Sequence, residues 1–255
     1  MEVRKVPKFF VCSDIHSFYM PLKKALDEKG FDPNNKDHWL IVCGDVFDRG
    51  DDSGLVLNYL MSLERKILVR GNHDLLLRDL CNRGFPHRYD FHNGTTTTVY
   101  DLGDAAAGND FDKCCEITQN KLKEYNGLLV KYFETQNYIF VHSWIPTNPK
   151  GFDTYTYQED WRNATDIEWE EATWGNPFHK SQDGLNQTGK TIVFGHWHCS
   201  TGHAMDGGYK IGEFGANAIW EPYINTETKI IGIDRCVAYT GEVNVVVLED
   251  KFLEV

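Results

Sequence analysis

Short apolar runs in this chain end, one after another, in polar motifs, and that alternation restricts the fold more than any other feature. The motifs are Asp14-Ile15-His16, Gly44-Asp45-Val46-Phe47-Asp48-Arg49-Gly50, Gly71-Asn72-His73-Asp74, Val141-His142-Ser143 and Gly195-His196-Trp197-His198. The runs before the first three, residues 8–12, 38–43 and 66–69, read as buried strands. Stretches of helical spacing follow each of them at 18–29, 53–63 and 74–81. Leu22, Ala25 and Leu26 share a face of the first, and Leu55, Val56, Tyr59 and Leu60 form the stripe of the second. A βαβαβα start of this kind predicts a parallel sheet covered by helices.

The remainder is less regular. Residues 85–110 are rich in Asn, Gly, Thr and Asp and are expected to form loops with one short helix. A helix is expected at 111–125, then an antiparallel pair of strands at 128–133 and 138–141. Residues 146–185 read as polar, aromatic and loop-rich, and 191–194, 230–233 and 243–248 as strands, with turns at 206–208 and 240–241. No internal repeat or linker divides the chain, so its 255 residues are expected to form one α/β domain spanning 1–255. In open α/β sheets, ligands gather beyond the carboxyl ends of the strands. The five motifs are therefore expected to meet at one edge.

Composition narrows the function classes. No apolar run approaches a membrane span, and the segment at 9–12 is too short for a signal-peptide core. The seven cysteines are odd in number and lack a Cys-x-x-Cys pair, and Cys12 and Cys43 lie inside apolar runs. They read as small hydrophobes in a reducing compartment, so a cytoplasmic protein is expected. A net charge of −12 weighs against stable binding of duplex nucleic acid, which needs a basic surface.

The motifs supply carboxylates, imidazoles and an amide. Asp14 and His16 can share one cation, Asp45 can bridge two, and Asn72, His142 and His196 add a carbonyl oxygen and two ring nitrogens. Mixed O and N donors suit Mn²⁺, Fe or Zn²⁺ better than Ca²⁺. Two such ions are expected, Mn²⁺ first, with Fe, Zn²⁺, Ni²⁺ and Mg²⁺ as the others. Arg49 and Arg70 adjoin these motifs and can fork onto phosphoryl oxygens. His73 can protonate a leaving alkoxide, with Asp48 orienting it. A phosphorylated substrate, protein or nucleotide, follows from that set.

At these residues the chain resembles the calcineurin-like metallophosphoesterases, over residues 8–248. Residues 44–50 match the G-D-x-x-D-R-G pattern of the serine/threonine phosphoprotein phosphatase branch, and 69–74 its L/V-R-G-N-H-E/D. Asn93-Gly94-Thr95-Thr96 is similar to an N-G-G-x-T stretch of bacterial members. The closing segments at 231–234 and 248–250 resemble those of bacterial and phage protein phosphatases and of symmetrical diadenosine tetraphosphatases. The resemblance implies a four-layer α/β/β/α sandwich with a dinuclear site on one edge. It implies Asp14, His16 and Asp45 on the first metal and Asp45, Asn72, His142 and His196 on the second. It implies Asp48 and His73 as the acid pair, and Arg49 and Arg70 on phosphate.

The activity so implied is metal-dependent phosphoester hydrolysis of the protein serine/threonine phosphatase kind, with a metal-bridged hydroxide as nucleophile. The alternative is a nucleotide hydrolase or phosphodiesterase, such as a dinucleoside tetraphosphate hydrolase. A non-catalytic scaffold is disfavoured, because every catalytic position is filled. Three departures from the branch stand out. His198 occupies a position where the branch usually lacks histidine, and is expected as a further ligand of the first metal, with a substrate contact as the competing role. Ser17 stands where glycine is usual. The downstream phosphate-binding arginine is missing: Arg162 is the only arginine between the His142 and His196 motifs, and Lys180 is the nearest cation to Trp174.

Overall fold

The computed structural model describes residues 6–103, 107–108, 110–151, 154–182, 185–207, 216–221 and 229–253. It opens with β1 (Lys8–Cys12), α1 (Tyr19–Glu28), β2 (His38–Cys43), α2 (Ser53–Ser62), β3 (Lys66–Val69) and α3 (Asn72–Arg83). Then come α4 (Arg88–Asn93), α5 (Thr95–Leu102), α6 (Phe111–Leu128), β4 (Leu129–Val130), β5 (Phe133–Glu134) and β6 (Tyr138–Phe140). A hairpin of β7 (Thr147–Gly151) and β8 (Thr154–Tyr157) precedes α7 (Asp166–Trp174) and α8 (Pro177–Gln182). The chain continues through β9 (Thr191–Phe194), α9 (Cys199–Asp206), β10 (Ile230–Gly232), α10 (Val237–Thr240) and β11 (Val246–Glu249).

Two sheets carry the structure, in strand orders β11-β1-β2-β3-β4 and β10-β9-β6-β5. In the first, β1 to β4 run parallel and β11 is an antiparallel edge. In the second, β6, β9 and β10 are parallel and β5 is antiparallel. The period-2 alternation of each strand sorts its side chains between layers. Phe9, Val11, Ile41, Cys43 and Val69 point at Phe140, Val193 and Ile231 of the other sheet. Their neighbours Phe10, Cys12, Leu40, Val42 and Leu68 pack under the helices with Leu22, Leu26, Val56 and Leu60. Ile139, Ile192 and Phe194 face outward from the second sheet onto Trp144, Trp161, Trp169 and Phe178. The expected α/β/β/α sandwich is therefore what the alternation builds.

Four local expectations change. Residues 85–110 hold two helices, α4 and α5, meeting at Gly94 (φ 78°), which ends one and begins the other. Thr95 and Thr98, which read as loop formers, are buried and committed to a distant partner, so tertiary contacts override their local preference. The expected strand at 128–133 splits between the sheets: β4 pairs with β3, whereas β5 pairs with β6. Tyr132, between them, stacks on Trp169 at 5.1 Å, which anchors the crossing on the far side of the second sheet. Residues 146–185 hold the β7–β8 hairpin, α7 and α8, with Thr165 and Glu168 closing a capping box at the start of α7. Leu55 is exposed, and the buried face of α2 is Ser53, Val56, Leu57 and Leu60, the true one-turn neighbours.

The turn expected at 206–208 lies partly outside the described residues; Gly207 follows α9 directly. All seven cysteines are buried and unpaired. Among the described residues, no helix is long and apolar enough to cross a membrane.

Phe140 is fully buried between the sheets. Phe140→Ala is expected to cost about 3–5 kcal/mol through lost contacts and a cavity. Urea unfolding should show a lower midpoint at unchanged slope; a loss under about 1 kcal/mol would remove this residue from the inter-sheet core.

Candidate metal centre

Six parallel strands aim their carboxyl ends at the same edge of the sandwich, and each is followed within three residues by a polar side chain. Asp14 follows β1, Asp45 follows β2, Asn72 follows β3, His142 follows β6, His196 follows β9 and Asp234 follows β10. The connecting backbone is left-handed at an unusual number of non-glycine positions. Asp14, His16, Ser17, Asp45, Asp48, Arg49 and His196 have φ between 50° and 76°. Such residues cost free energy locally and persist where surrounding contacts fix them. Here the fixing contacts are hydrogen bonds between strand ends: Asp14 N to Gly44 O at 3.1 Å, His16 N to Asp45 O at 3.0 Å and Gly195 N to His142 O at 2.8 Å. Ser17 takes φ 62° itself, and its hydroxyl lies 2.8 Å from that of Ser53. The serine thus occupies a backbone that glycine adopts more easily.

Two glycines make room for the ligands. A Cβ on Gly71 would lie 2.1 Å from Asp45 Oδ1, and one on Gly195 would lie 2.1 Å from Asp14 Oδ2.

The inner cavity, about 60 Å³, is lined by Asp14, His16, Asp45, Arg49, Asn72, His73, His196 and His198. Asp45 sits between two groups of donors. Its Oδ2 is 3.9 Å from both His16 Nε2 and His73 Nε2, and its Oδ1 is 3.4 Å from His142 Nε2. His142 Nε2 in turn lies 2.8 Å from Asn72 Oδ1 and 3.1 Å from His196 Nδ1. The sets His16, Asp45, His73 and Asp45, His142, His196 each hold their donor atoms within 4.8 Å of one another. Imidazole orientation comes from behind: His16 Nδ1 is 2.9 Å from Phe47 O, and His142 Nδ1 is 2.8 Å from Cys43 O. Each ring therefore donates from Nδ1 and leaves the Nε2 lone pair toward the cavity, as metal ligands require.

Asp48 is fully buried behind His73. It accepts His73 Nδ1–H at 2.6 Å, Thr95 Oγ1–H at 2.9 Å and Thr98 Oγ1–H at 2.8 Å. Asp74 fixes the neighbouring turn, accepting Gly71 N–H at 2.7 Å and Tyr125 O–H at 2.8 Å.

The electrostatics call for positive charge. Burial, then repulsion from Asp45, pushes the Asp14 carboxyl up to about 7. Burial also opposes ionisation of Asp45, but His142, His73, His16 and His196 outweigh it and hold that carboxyl well below the usual range. Burial and the neighbouring His142 drive His196 down to about 3, and burial with His73 lowers His16. Neutral imidazoles facing buried carboxylates form a mixed N and O donor set that fits divalent cations. His73 differs: burial disfavours its charged form, yet Asp45 and Asp48 prevail and the shift is upward.

The remaining expected residues are placed as follows. Arg49 lines the cavity and is exposed toward solvent. Arg70 is outside the lining residues, and its Nε and Nη2 are buried without a hydrogen-bond partner, a fork suited to an anion. His198 lines the cavity at the residue before α9. Arg162 is spent on Glu134, with bonds of 2.8 and 2.7 Å. Lys180 is buried 4.9 Å from the Tyr155 ring, and desolvation lowers it to about 8; it borders a separate cavity.

Three contributors escaped the sequence reading. Asp234 lines the cavity and is pushed up to about 7 by burial and then by Asp14. Its signal was available, since it follows the apolar run at 230–233 as the other motifs follow theirs. Thr95 and Thr98 had no local signal, because their partner is 47 and 50 residues away.

Sequence comparison matches the model of the calcineurin-like phosphoesterases to residues 7–200. A symmetrical bis(5'-nucleosyl)-tetraphosphatase of Buchnera aphidicola subsp. Schizaphis graminum is 42% identical over 69 residues, 27% of this chain and 24% of that protein. The corresponding protein of Aeromonas salmonicida is 46% identical over 65 residues, 25% of this chain and 23% of that protein. The matched segment thus spans about a quarter of these curated relatives. A solved cold-active protein tyrosine phosphatase superposes with a TM-score of 0.55 at 14% identity, over 96% of this chain and 74% of that one. At that identity the likeness concerns the fold.

Mn²⁺ added to metal-stripped protein is expected to raise Tm, since a ligand of the folded state stabilises it. A carboxyl raised to about 7, as in Asp14, keeps its proton below that pH and releases it to a cation. Affinity should therefore climb between pH 5.5 and 7.5, by up to about tenfold per unit for one displaced proton. Calorimetry at several pH values would read this, and a flat profile would take Asp14 out of the donor set.

Proposed function

The chain belongs to the calcineurin-like phosphoesterases, and on that premise we propose that it hydrolyses phosphoesters at the centre described above. The ligand assignment proposed is Asp14, His16, Asp45 and His198 for one cation, and Asp45, Asn72, His142 and His196 for the other. When bound, two divalent ions, Mn²⁺ first among the candidates, supply Lewis-acid charge to phosphoryl oxygens and activate the attacking water.

The observation that carries this reading is the 2.6 Å contact between His73 and fully buried Asp48, beside the Asp45 cluster. Asp48 holds the Nδ1–H, so Nε2 faces the cavity as the proton donor to the departing oxygen. The upward shift of His73 keeps that proton in place near neutral pH. Thr95 and Thr98 donate to Asp48 as well, which holds the carboxylate in place behind His73. Arg49 and Arg70 hold phosphoryl oxygens through planar forks, and the unpartnered nitrogens of Arg70 mark where one such oxygen would bind.

Within that chemistry we favour a nucleotide substrate over a phosphoprotein. The missing downstream cation speaks for it: Arg162 is paired with Glu134 and Lys180 borders another cavity, so the clamp of a protein phosphatase is incomplete. The curated relatives, named as symmetrical bis(5'-nucleosyl)-tetraphosphatases, point the same way over the segment they share. Phosphoprotein hydrolysis is the second reading, carried by the motif at residues 44–50. A cytoplasmic location agrees with seven buried free cysteines.

Asp45→Asn is expected to lower kcat by several orders of magnitude on any phosphoester. His73→Asn should cost roughly 10²–10⁴-fold on an alkyl ester such as glycerol phosphate, the usual worth of a general acid. It should cost far less on p-nitrophenyl phosphate, whose phenolate departs without a proton. Equal losses on both substrates would rule out the acid role. Side-by-side kcat/KM on diadenosine tetraphosphate and a phosphoserine peptide, with Mn²⁺, Ni²⁺, Zn²⁺, Fe²⁺ or Mg²⁺ restored to stripped protein, separates the two substrate classes. A dominant phosphopeptide rate would reject the nucleotide reading.

A further inference from the structure

The inner cavity has room for ions and a phosphoryl group and not for an aromatic ring. A second cavity, of about 450 Å³, adjoins it across Arg49, His196 and His198. Volumes of that order are usual for small-molecule sites. Its outer wall is formed by Trp197, Tyr239 and Thr201. Trp197 is 39% exposed and Tyr239 66% exposed, whereas Trp144, Trp161 and Trp169 are buried in the core. The geometry points to a subsite for the planar base of a nucleoside phosphate, held against Trp197 and Tyr239 while its phosphate reaches the metal centre past Arg49. It rests on reading that centre as a phosphoester hydrolase.

Three observations support the assignment. First, both rings are tied by chain connectivity to groups at the centre. Trp197 lies between His196 and His198, and its backbone N–H donates to Gly195 O at 2.8 Å. Tyr239 lies five residues after Asp234, on a short turn of helix entered through left-handed Cys236 (φ 56°). The aromatic wall is therefore set at a fixed reach from the phosphoryl position.

Second, the charge is right. The chain carries 38 acidic residues against 26 basic ones, yet among the described residues this lining has no carboxylate. The Arg49 guanidinium faces it instead, beside His196 and His198. Another cavity with aromatic lining, about 510 Å³ and bordered by Tyr155 and Trp174, sets Glu168, Glu170 and Glu171 against the single cation Lys180 and is less suited to a phosphate chain.

Third, the distance separates a nucleotide from a phosphotyrosine. A tyrosyl ring is bonded directly to the phosphate oxygen and would have to enter the inner cavity. A base is set back by its ribose and falls in the outer one. Stacking on aromatic side chains tolerates any base, because each presents a π-face. The Thr201 hydroxyl, at the start of α9, is the polar group on that wall for a ribose or base edge.

AMP and ribose 5-phosphate differ only in the base and make the test. Their binding to the Mn²⁺-loaded full chain is measured by calorimetry in an Asp48→Asn background, where turnover is slowed. AMP is expected to bind about tenfold tighter or more. Tyr239→Ala and Trp197→Ala should each reduce that advantage, and Tyr239→Phe should retain it. Equal binding of the two ligands, or an advantage that survives both alanine variants, would overturn the subsite. A phosphotyrosine peptide that binds tighter than AMP and loses its advantage in the same variants would overturn the nucleoside assignment. Glycerol phosphate hydrolysis by the unmutated enzyme is read separately. Its absence would reject the hydrolase reading and leave the base comparison standing.

Discussion

A single carboxylate, Asp45, decides how the rest of the centre is arranged. It is buried, faces both donor groups and is kept ionised against burial by four surrounding imidazoles. Two of those imidazoles, His16 and His142, are oriented because backbone carbonyls of Phe47 and Cys43 accept from their far nitrogens. Removing any one of these contacts leaves a buried charge or a misdirected ring, and uncompensated buried charge is among the costliest defects a fold can carry. The loops can hold unfavourable backbone angles because strand ends in both sheets lock them from either side. Ligand placement and sheet packing are therefore one problem with one solution.

The gathering of these residues was legible because their types are rare in combination and each followed an apolar run. Asp14, His16, Asp45, Asn72, His73, His196 and His198 meet around one cavity, with Asp48 and His142 directly behind. What could not be read was whatever depended on distant partners. Thr95 and Thr98 look like loop residues until Asp48 is placed against them, and with that contact residues 95–102 form a helix. The step from β4 to β5 carries no local mark of changing sheets; it follows from where Tyr132 finds Trp169. Asp234 shows a different failure, since its pattern matched the other motifs and its segment was read only as a closing strand.

The aromatic content divides between two uses that composition cannot separate. Trp144, Trp161 and Trp169 fill the layer outside the second sheet, where their size closes the space between β6, β9 and α7. Trp197 and Tyr239 are spent at the surface, beside charged groups and within reach of the centre. An exposed ring costs solvation free energy, and its placement on a segment already constrained by ligand residues is what gives it meaning. The net charge of −12 sharpens the contrast, because the outer cavity is lined by Arg49 and, among the described residues, by no carboxylate.

The alternation that sorts Phe9 and Val11 from Phe10 and Cys12 has a consequence for how such a chain can vary. Core and centre share one reading frame. Inserting or deleting a residue within β1 would exchange the two core layers and turn the following Asp14 away from its partners, since a slip of one flips every side chain. The same change in the excursions at residues 85–110 or 146–185 leaves the frame intact. Divergence is thus channelled into those excursions, and it is there that a fixed catalytic edge can be fitted with different surroundings.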